Sequence, residues 1–123
     1  GTALATHFGE KIKTLLTFKI PPYVIAINSK KKSTKEMYAL FDRLKKFRKT
    51  GTYSNDFEVV MNEHSAFKKA RQLKDLLIKS GAQEVHLTGS GSAFFAFYPH
   101  KKIRNAAVRK LQKRVDFLFC GGL

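Results

Sequence analysis

An α+β domain is predicted here: a ferredoxin-like split βαβ sheet, helices packed on one face, and extra helices between the first two strands. Three observations carry that expectation. Tyr23-Val24-Ile25-Ala26-Ile27 is a short, almost wholly apolar run, the pattern of a central strand buried on both faces. Glu84 to Leu87 and Ala93 to Tyr98 are two further strand-like runs, separated only by the turn Thr88-Gly89-Ser90-Gly91-Ser92. Helical periodicities fill the remaining intervals, so the order reads strand, helices, strand, strand, helix, strand.

Taken in order, Thr6-His7-Phe8-Gly9-Glu10 is a glycine bend, and the alternation of Ile12-Lys13-Thr14-Leu15 after it suggests a strand. Residues 1–20 are expected to be the end of a preceding N-terminal domain or a connecting strand, and residues 21–123 a domain of their own. Pro21-Pro22 separates the two. After the polar loop Asn28 to Lys32, Ser33-Thr34-Lys35-Glu36 has the spacing of a capping box, where hydroxyl and carboxylate reciprocally satisfy open N–H groups. Met37, Leu40, Phe41, Leu44 and Phe47 then recur at helical spacing to about Arg48, with Thr50-Gly51 as the stop. Tyr38 falls off this stripe. Asn55-Asp56-Phe57-Glu58 offers a second capping box with Asn55 as cap, and Asn55 and Asp56 are read first as structural.

From Ser65 a longer helix places Phe67, Ala70, Leu73 and Leu77 on one face, and Ser80-Gly81 ends it. Pro99 opens the last region. Ile103, Ala107 and Leu111 form one stripe there, with Arg104, Arg109, Lys110, Lys113 and Arg114 off it, which describes a basic amphipathic helix. Phe117-Leu118-Phe119-Cys120 is the final strand.

The chain has 123 residues, 43% of them hydrophobic with eleven Phe, which suits one folded domain with a real core. Cys120 is the only cysteine, so an intramolecular disulfide and a multi-cysteine zinc site are excluded. No apolar run approaches the length of a membrane span and the opening residues do not resemble a signal peptide, so no membrane partner and a cytoplasmic location are expected. Twenty-four Lys and Arg against 9 Asp and Glu leave a formal charge of +15. Such a field attracts anions, although a solvated lysine-rich surface accounts for it equally well.

Chemistry is thinly spread. His7, His64, His86 and His100 have no ligand spacing, so no metal site is expected. Ser90 and Ser92 lack a neighbouring histidine, and no Asp forms an acid–base pair. The glycine turn is the remaining feature: two residues without a Cβ, interleaved with small hydroxyls, let backbone N–H groups converge on a phosphate. By local chemistry alone, an ordinary hairpin turn explains it as well. A strand follows it, where a Walker loop or a dinucleotide fingerprint would open a helix.

Taken together, Gly9-Glu10, Ser54 to Glu58 and Leu87 to Phe95, in that order, resemble the C-terminal half of the GHMP-type small-molecule kinases. Within that superfamily the chain is most similar to members that serve isoprenoid biosynthesis. The resemblance implies ATP-dependent transfer of a phosphoryl group to a hydroxyl of a cytidine diphosphate conjugate. It assigns Gly89, Ser90, Gly91 and Ser92 to phosphate contact and Tyr38 to packing on the cytosine ring. It places the main ATP loop, the Mg²⁺ site and the catalytic Lys and Asp in an N-terminal half outside this sequence, so no catalytic residue is expected here and this chain alone is expected to be inactive. His7 stands where members commonly carry glycine.

A competing reading is an RNA-recognition module, whose third strand stacks aromatic rings on bases. Ser90 and Ser92 occupy positions where such a module carries a basic residue and an aromatic, leaving Phe94 as the stacking candidate. A GHMP kinase with another substrate is the remaining alternative.

Overall fold

The computed structural model describes residues 2–15, 19–30, 32–44 and 55–122. Two strands, β1 (Thr2–Thr6) and β2 (Lys11–Leu15), pair with one another as an antiparallel hairpin. The remaining strands are β3 (Tyr23–Ile27), β4 (Glu84–Leu87), β5 (Phe94–Phe97) and β6 (Phe117–Gly121), with α1 (Thr34–Leu44), α2 (Phe57–Glu63), α3 (Lys68–Lys79) and α4 (Lys101–Leu111) between them. They form one antiparallel sheet in the order β4-β5-β3-β6. That is the expected ferredoxin-like order, with the apolar β3 at an interior position and α1 to α3 inserted before β4.

Strand alternation decides what the helices cover. Val24 and Ala26 of β3, Leu87 of β4, and Phe94 and Ala96 of β5 point to one side and are buried. Ala70, Leu73 and Leu77 of α3 and Ala107 and Leu111 of α4 close over them, with Met37, Val60 and Met61 arriving from α1 and α2. Truncating a fully buried leucine such as Leu73 to alanine in a core of this kind costs about 2–5 kcal/mol. The Tyr98 hydroxyl shares a 2.8 Å hydrogen bond with the Ser80 hydroxyl at the end of α3. Burial pushes the Tyr98 phenol above its ordinary range, against the opposing pull of that hydrogen bond.

Several sequence expectations are revised. The bend at residues 6–10 joins two strands, since Thr2–Thr6 pairs along its length with Lys11–Leu15. His7 takes φ 57°, a left-handed conformation that glycine adopts freely, and Gly9 follows at φ 98°. The helix expected from Ser65 is preceded by a separate 3₁₀ turn (Ser65–Phe67), and α3 begins at Lys68. The expected end of the first long helix, at Arg48 to Gly51, lies outside the described residues, as does Phe47. Arg104, expected off the apolar stripe, is buried and donates to the Gly121 carbonyl at 2.6 Å, joining α4 to β6. The burial expected on both faces of β3 is present on one face only: Tyr23, Ile25 and Ile27 are half-buried. No helix of the described residues is long and apolar enough to cross a membrane.

Candidate functional site

The start of α1 and the turn between β4 and β5 meet on one side of the domain. Ser33-Thr34-Lys35-Glu36 forms the expected capping box: Glu36 Oε2 accepts from the Ser33 N–H at 2.9 Å and from its hydroxyl at 2.8 Å, while the Glu36 N–H donates to Ser33 Oγ at 3.2 Å. Those bonds, the backbone one foremost, hold the Glu36 carboxyl below its ordinary range. The box fixes where α1 begins, and its next residue reaches across to the turn. Thr34 Oγ1 lies 3.2 Å from Ser90 Oγ.

The second capping sequence works differently. α2 begins at Phe57, and Asp56 at its cap makes no side-chain cap bond. Asn55 Oδ1 accepts the Phe57 N–H at 3.0 Å, but its amide points away from the helix and donates to the carbonyls of Leu87 at 3.0 Å and Gly89 at 2.7 Å. Glu58 turns inward and is 1% exposed. Its Oε1 accepts the Leu87 N–H at 3.0 Å, its Oε2 meets Lys74 Nζ at 3.3 Å, and His86 Nδ1 lies 3.8 Å from Oε1. Leu87, the last residue of β4, is thus gripped at both its backbone polar groups by side chains one helical turn apart. The reciprocal capping box expected here is replaced by a brace on the glycine turn, because a buried sheet edge offers Glu58 a stronger partner than its own helix start.

The turn itself closes with Thr88 N–H to Ala93 O at 2.9 Å and Gly91 N–H to Thr88 O at 3.0 Å. Gly89 and Gly91 both take positive φ, 52° and 92°. Among the described residues, the N–H groups of Gly89 and Ser90 have no acceptor. They are two donors that the turn leaves open to an anion. Ser92 is 6% exposed, and its hydroxyl donates to Ser29 O at 2.6 Å, so that side chain is committed to holding the turn against the end of β3.

Beside the turn is a cleft of about 510 Å³, lined by Tyr38, Phe41, Asn55, Phe57, Gly89 and Phe95 among others. Tyr38 is 56% exposed, and its ring stands edge-on to Phe57 with centroids 4.9 Å apart. Phe57 meets Phe41 in the same manner at 6.2 Å. The contact limits the orientations open to the tyrosine while leaving ring surface exposed. Tyr38, Asn55, Asp56 and Gly89 therefore line one cleft, Ser90 joins it to α1, and Ser92 lies behind. Phe94, the stacking candidate of the RNA-binding reading, is 1% exposed and faces the helices, which removes it from that role. Glu58 was missed as a site residue. Its signal was an acid on the same helical face as Met61, an apolar face on which an unpaired carboxylate is costly.

The fold and this turn define a class. Residues 61–116 match the family model described as GHMP kinases C terminal. The 4-diphosphocytidyl-2-C-methyl-D-erythritol kinase of Chlorobaculum tepidum is 48% identical over 48 residues, covering 39% of this chain and 16% of the relative. Its counterpart in Pelodictyon phaeoclathratiforme is 29% identical over 130 aligned positions, covering 90% of this chain and 44% of the relative. A crystal structure of 4-(cytidine 5'-diphospho)-2C-methyl-D-erythritol kinase superposes with a TM-score of 0.74 at 19% identity, covering 98% of this chain and 48% of that one. The chain spans less than half the length of the curated relatives it matches.

Proposed function

We propose that this chain is the substrate-side part of an ATP-dependent kinase that phosphorylates a hydroxyl of a cytidine diphosphate conjugate, 4-diphosphocytidyl-2-C-methyl-D-erythritol. The observation that carries the reading is an exposed, edge-supported Tyr38 ring lining the same cleft as Gly89, with Ser90 next in the turn and neither N–H taken by an acceptor among the described residues. Tyr38 would stack on the base, and the turn would hold a phosphate oxygen. Asn55 and Glu58 would keep those N–H groups in place by fixing Leu87 and Gly89. Gly91 and Ser92 act as framework in this reading, one closing the turn and the other anchoring it to Ser29.

Phosphoryl transfer needs positioning and charge stabilisation from several parts at once. The described residues supply a donor pair and an aromatic platform. Among them no cluster of three or more His, Cys, Asp or Glu is placed to hold a metal. By the family resemblance, ATP and Mg²⁺ would be held mainly by an N-terminal half, which would also orient and deprotonate the acceptor hydroxyl, in a cytoplasmic enzyme. This chain by itself would not turn over.

Titration of the full polypeptide with the cytidine diphosphate conjugate tests the reading. Replacing Tyr38 by Ala removes about 1–3 kcal/mol of stacking, a loss of about 5- to 150-fold in affinity. Unchanged affinity in Y38A overturns the site assignment, and ATP-dependent phosphorylation by these 123 residues alone overturns the division of labour.

A further inference from the structure

A second cavity, of about 580 Å³, opens at the end of β3 and shares no lining residue with the Tyr38 cleft. The loop that follows β3 contributes Asn28, Ser29, Lys30 and Lys32 to it, and the 3₁₀ turn and the start of α3 contribute Phe67 and Lys69. Lys32 is half-buried, with its ammonium 6.0 Å from the centre of the Phe67 ring. Packing on that ring keeps one of the three cations at the cavity wall.

The first turn of α3 runs against its own dipole. It holds Lys68, Lys69 and Arg71 and no acid, and Phe67 at its cap makes no side-chain bond to the N–H groups. Arg71 turns back to the carbonyls of Met61 and His64, at 2.9 and 2.7 Å, whereas Lys69 lines the cavity. The positive end of a helix disfavours added cations and favours an anion beside it. A second observation is independent of the helix. The Ser29 hydroxyl oxygen is buried and meets no hydrogen-bond partner among the described residues. A buried hydroxyl left unpaired is costly, and on the wall of a cavity a ligand oxygen can satisfy it. The Ser29 backbone is already fixed, since its carbonyl accepts the Ser92 hydroxyl at 2.6 Å.

The lining also narrows the ligand. Three ammonium groups and a hydroxyl donor suit the oxygens of a phosphate. Glu36 and Asp116 line the same cavity, however, and their carboxylates repel a bare polyanion while accepting from hydroxyl groups. A ligand that satisfies the whole wall therefore carries hydroxyls beside its phosphate.

We propose that this cavity binds a phosphate monoester of a small polyol, with its phosphate at Lys30, Lys32, Lys69 and the Ser29 hydroxyl and its own hydroxyls at Glu36 and Asp116. The site is separate from the Tyr38 cleft and stands whether or not that cleft takes a cytidine diphosphate conjugate.

Titration of the full polypeptide with glycerol 3-phosphate, followed by amide chemical shifts, tests it. The Ser29 and Lys69 amides should move together and saturate, and inorganic phosphate should bind about ten-fold more weakly for want of the hydroxyl contacts. Lys69→Gln should weaken glycerol 3-phosphate about ten-fold and Ser29→Ala about five-fold. Tyr38→Ala and Lys102→Gln should leave its affinity unchanged. Ser29→Ala also reads the fold: removing a hydroxyl that has no partner should leave the ligand-free urea midpoint unchanged or higher. Shifts that rise without saturating, or an equal loss in Lys102→Gln, would identify diffuse attraction to a basic surface and overturn the proposal. Loss of binding in Tyr38→Ala would place the ligand in the cleft and overturn it too. Inorganic phosphate binding as tightly as the ester, or undiminished binding in Lys69→Gln and Ser29→Ala, does the same.

Discussion

Ser33 to Glu36 and Asn55 to Glu58 look alike in sequence, each a capping residue followed three positions later by glutamate. In the folded domain they do opposite things. In the first, Ser33 and Glu36 close on each other at an exposed helix start through three hydrogen bonds, and only Thr34 reaches out, to Ser90. The second opens outward, and its amide and carboxylate cross more than thirty or nearly thirty positions of chain to reach Gly89 and Leu87. Burial separates them. Glu36 is exposed, so a local partner competes only with water, whereas Glu58 is 1% exposed and must find partners wherever the core offers them.

The contrast breaks most visibly at Glu58. Glu58→Ala leaves the Leu87 N–H and the Lys74 ammonium without their acceptor and should destabilise the domain by about 3 kcal/mol in urea denaturation. Glu58→Gln, which keeps an acceptor for the N–H, should recover about half of that. A loss at Glu58→Ala no larger than that of a surface carboxylate would erase the distinction between the two boxes.

Asn55 comes next. Asn55→Ala should cost about 1–2 kcal/mol through the two unmet carbonyls and loosen the turn. Asn55→Asp should be worse, because a carboxylate would face the carbonyl oxygens of Leu87 and Gly89 with no proton to donate. Amide exchange at Thr88 and Gly91, whose N–H groups close the turn, checks this: it should speed up in both variants and stay unchanged in Ser33→Ala.

Smaller effects belong to the exposed box. Ser33→Ala should cost about 1 kcal/mol or less, felt in α1 alone. Its pH dependence has a definite sign. The folded Glu36 pKa is lowered, so its contribution is present above the ordinary carboxylate value and is lost as pH falls through the lowered one. Carbon chemical shifts across the first turn of α1 should therefore move toward coil on acidification, and Glu36→Gln should remove that transition. At the alkaline end Tyr98 acts in the other direction. Its contribution is full below about pH 10 and declines as pH rises from there toward the raised folded value.

Much of the architecture was legible because it repeats locally. The Ser33 box, the stripe through Leu73 and Leu77, and the glycine turn between two strands each depend on neighbours a few residues away. The β1 strand was less visible: Thr2 to Thr6 carries little of the pattern of a buried strand, and Leu4 is 52% exposed. Arg104 was placed on the wrong side for a similar reason. Helical spacing assigns it a polar face, but a carbonyl at Gly121, supplied by a strand that follows later in the chain, draws its guanidinium inward.

The sequence by itself determined the order of elements from β3 onward, the place of the Gly89 to Ser92 turn, and the position of Tyr38 off the core stripe, because periodicity and turn chemistry act over short separations. Tertiary structure alone decided that Asn55 and Glu58 brace that turn and that Ser92 is an anchor. It also decided that Val24 and Ala26 of β3 are fully buried while Tyr23, Ile25 and Ile27 are half-buried. Each of these depends on which groups are withdrawn from water together, and the packing of distant segments sets that.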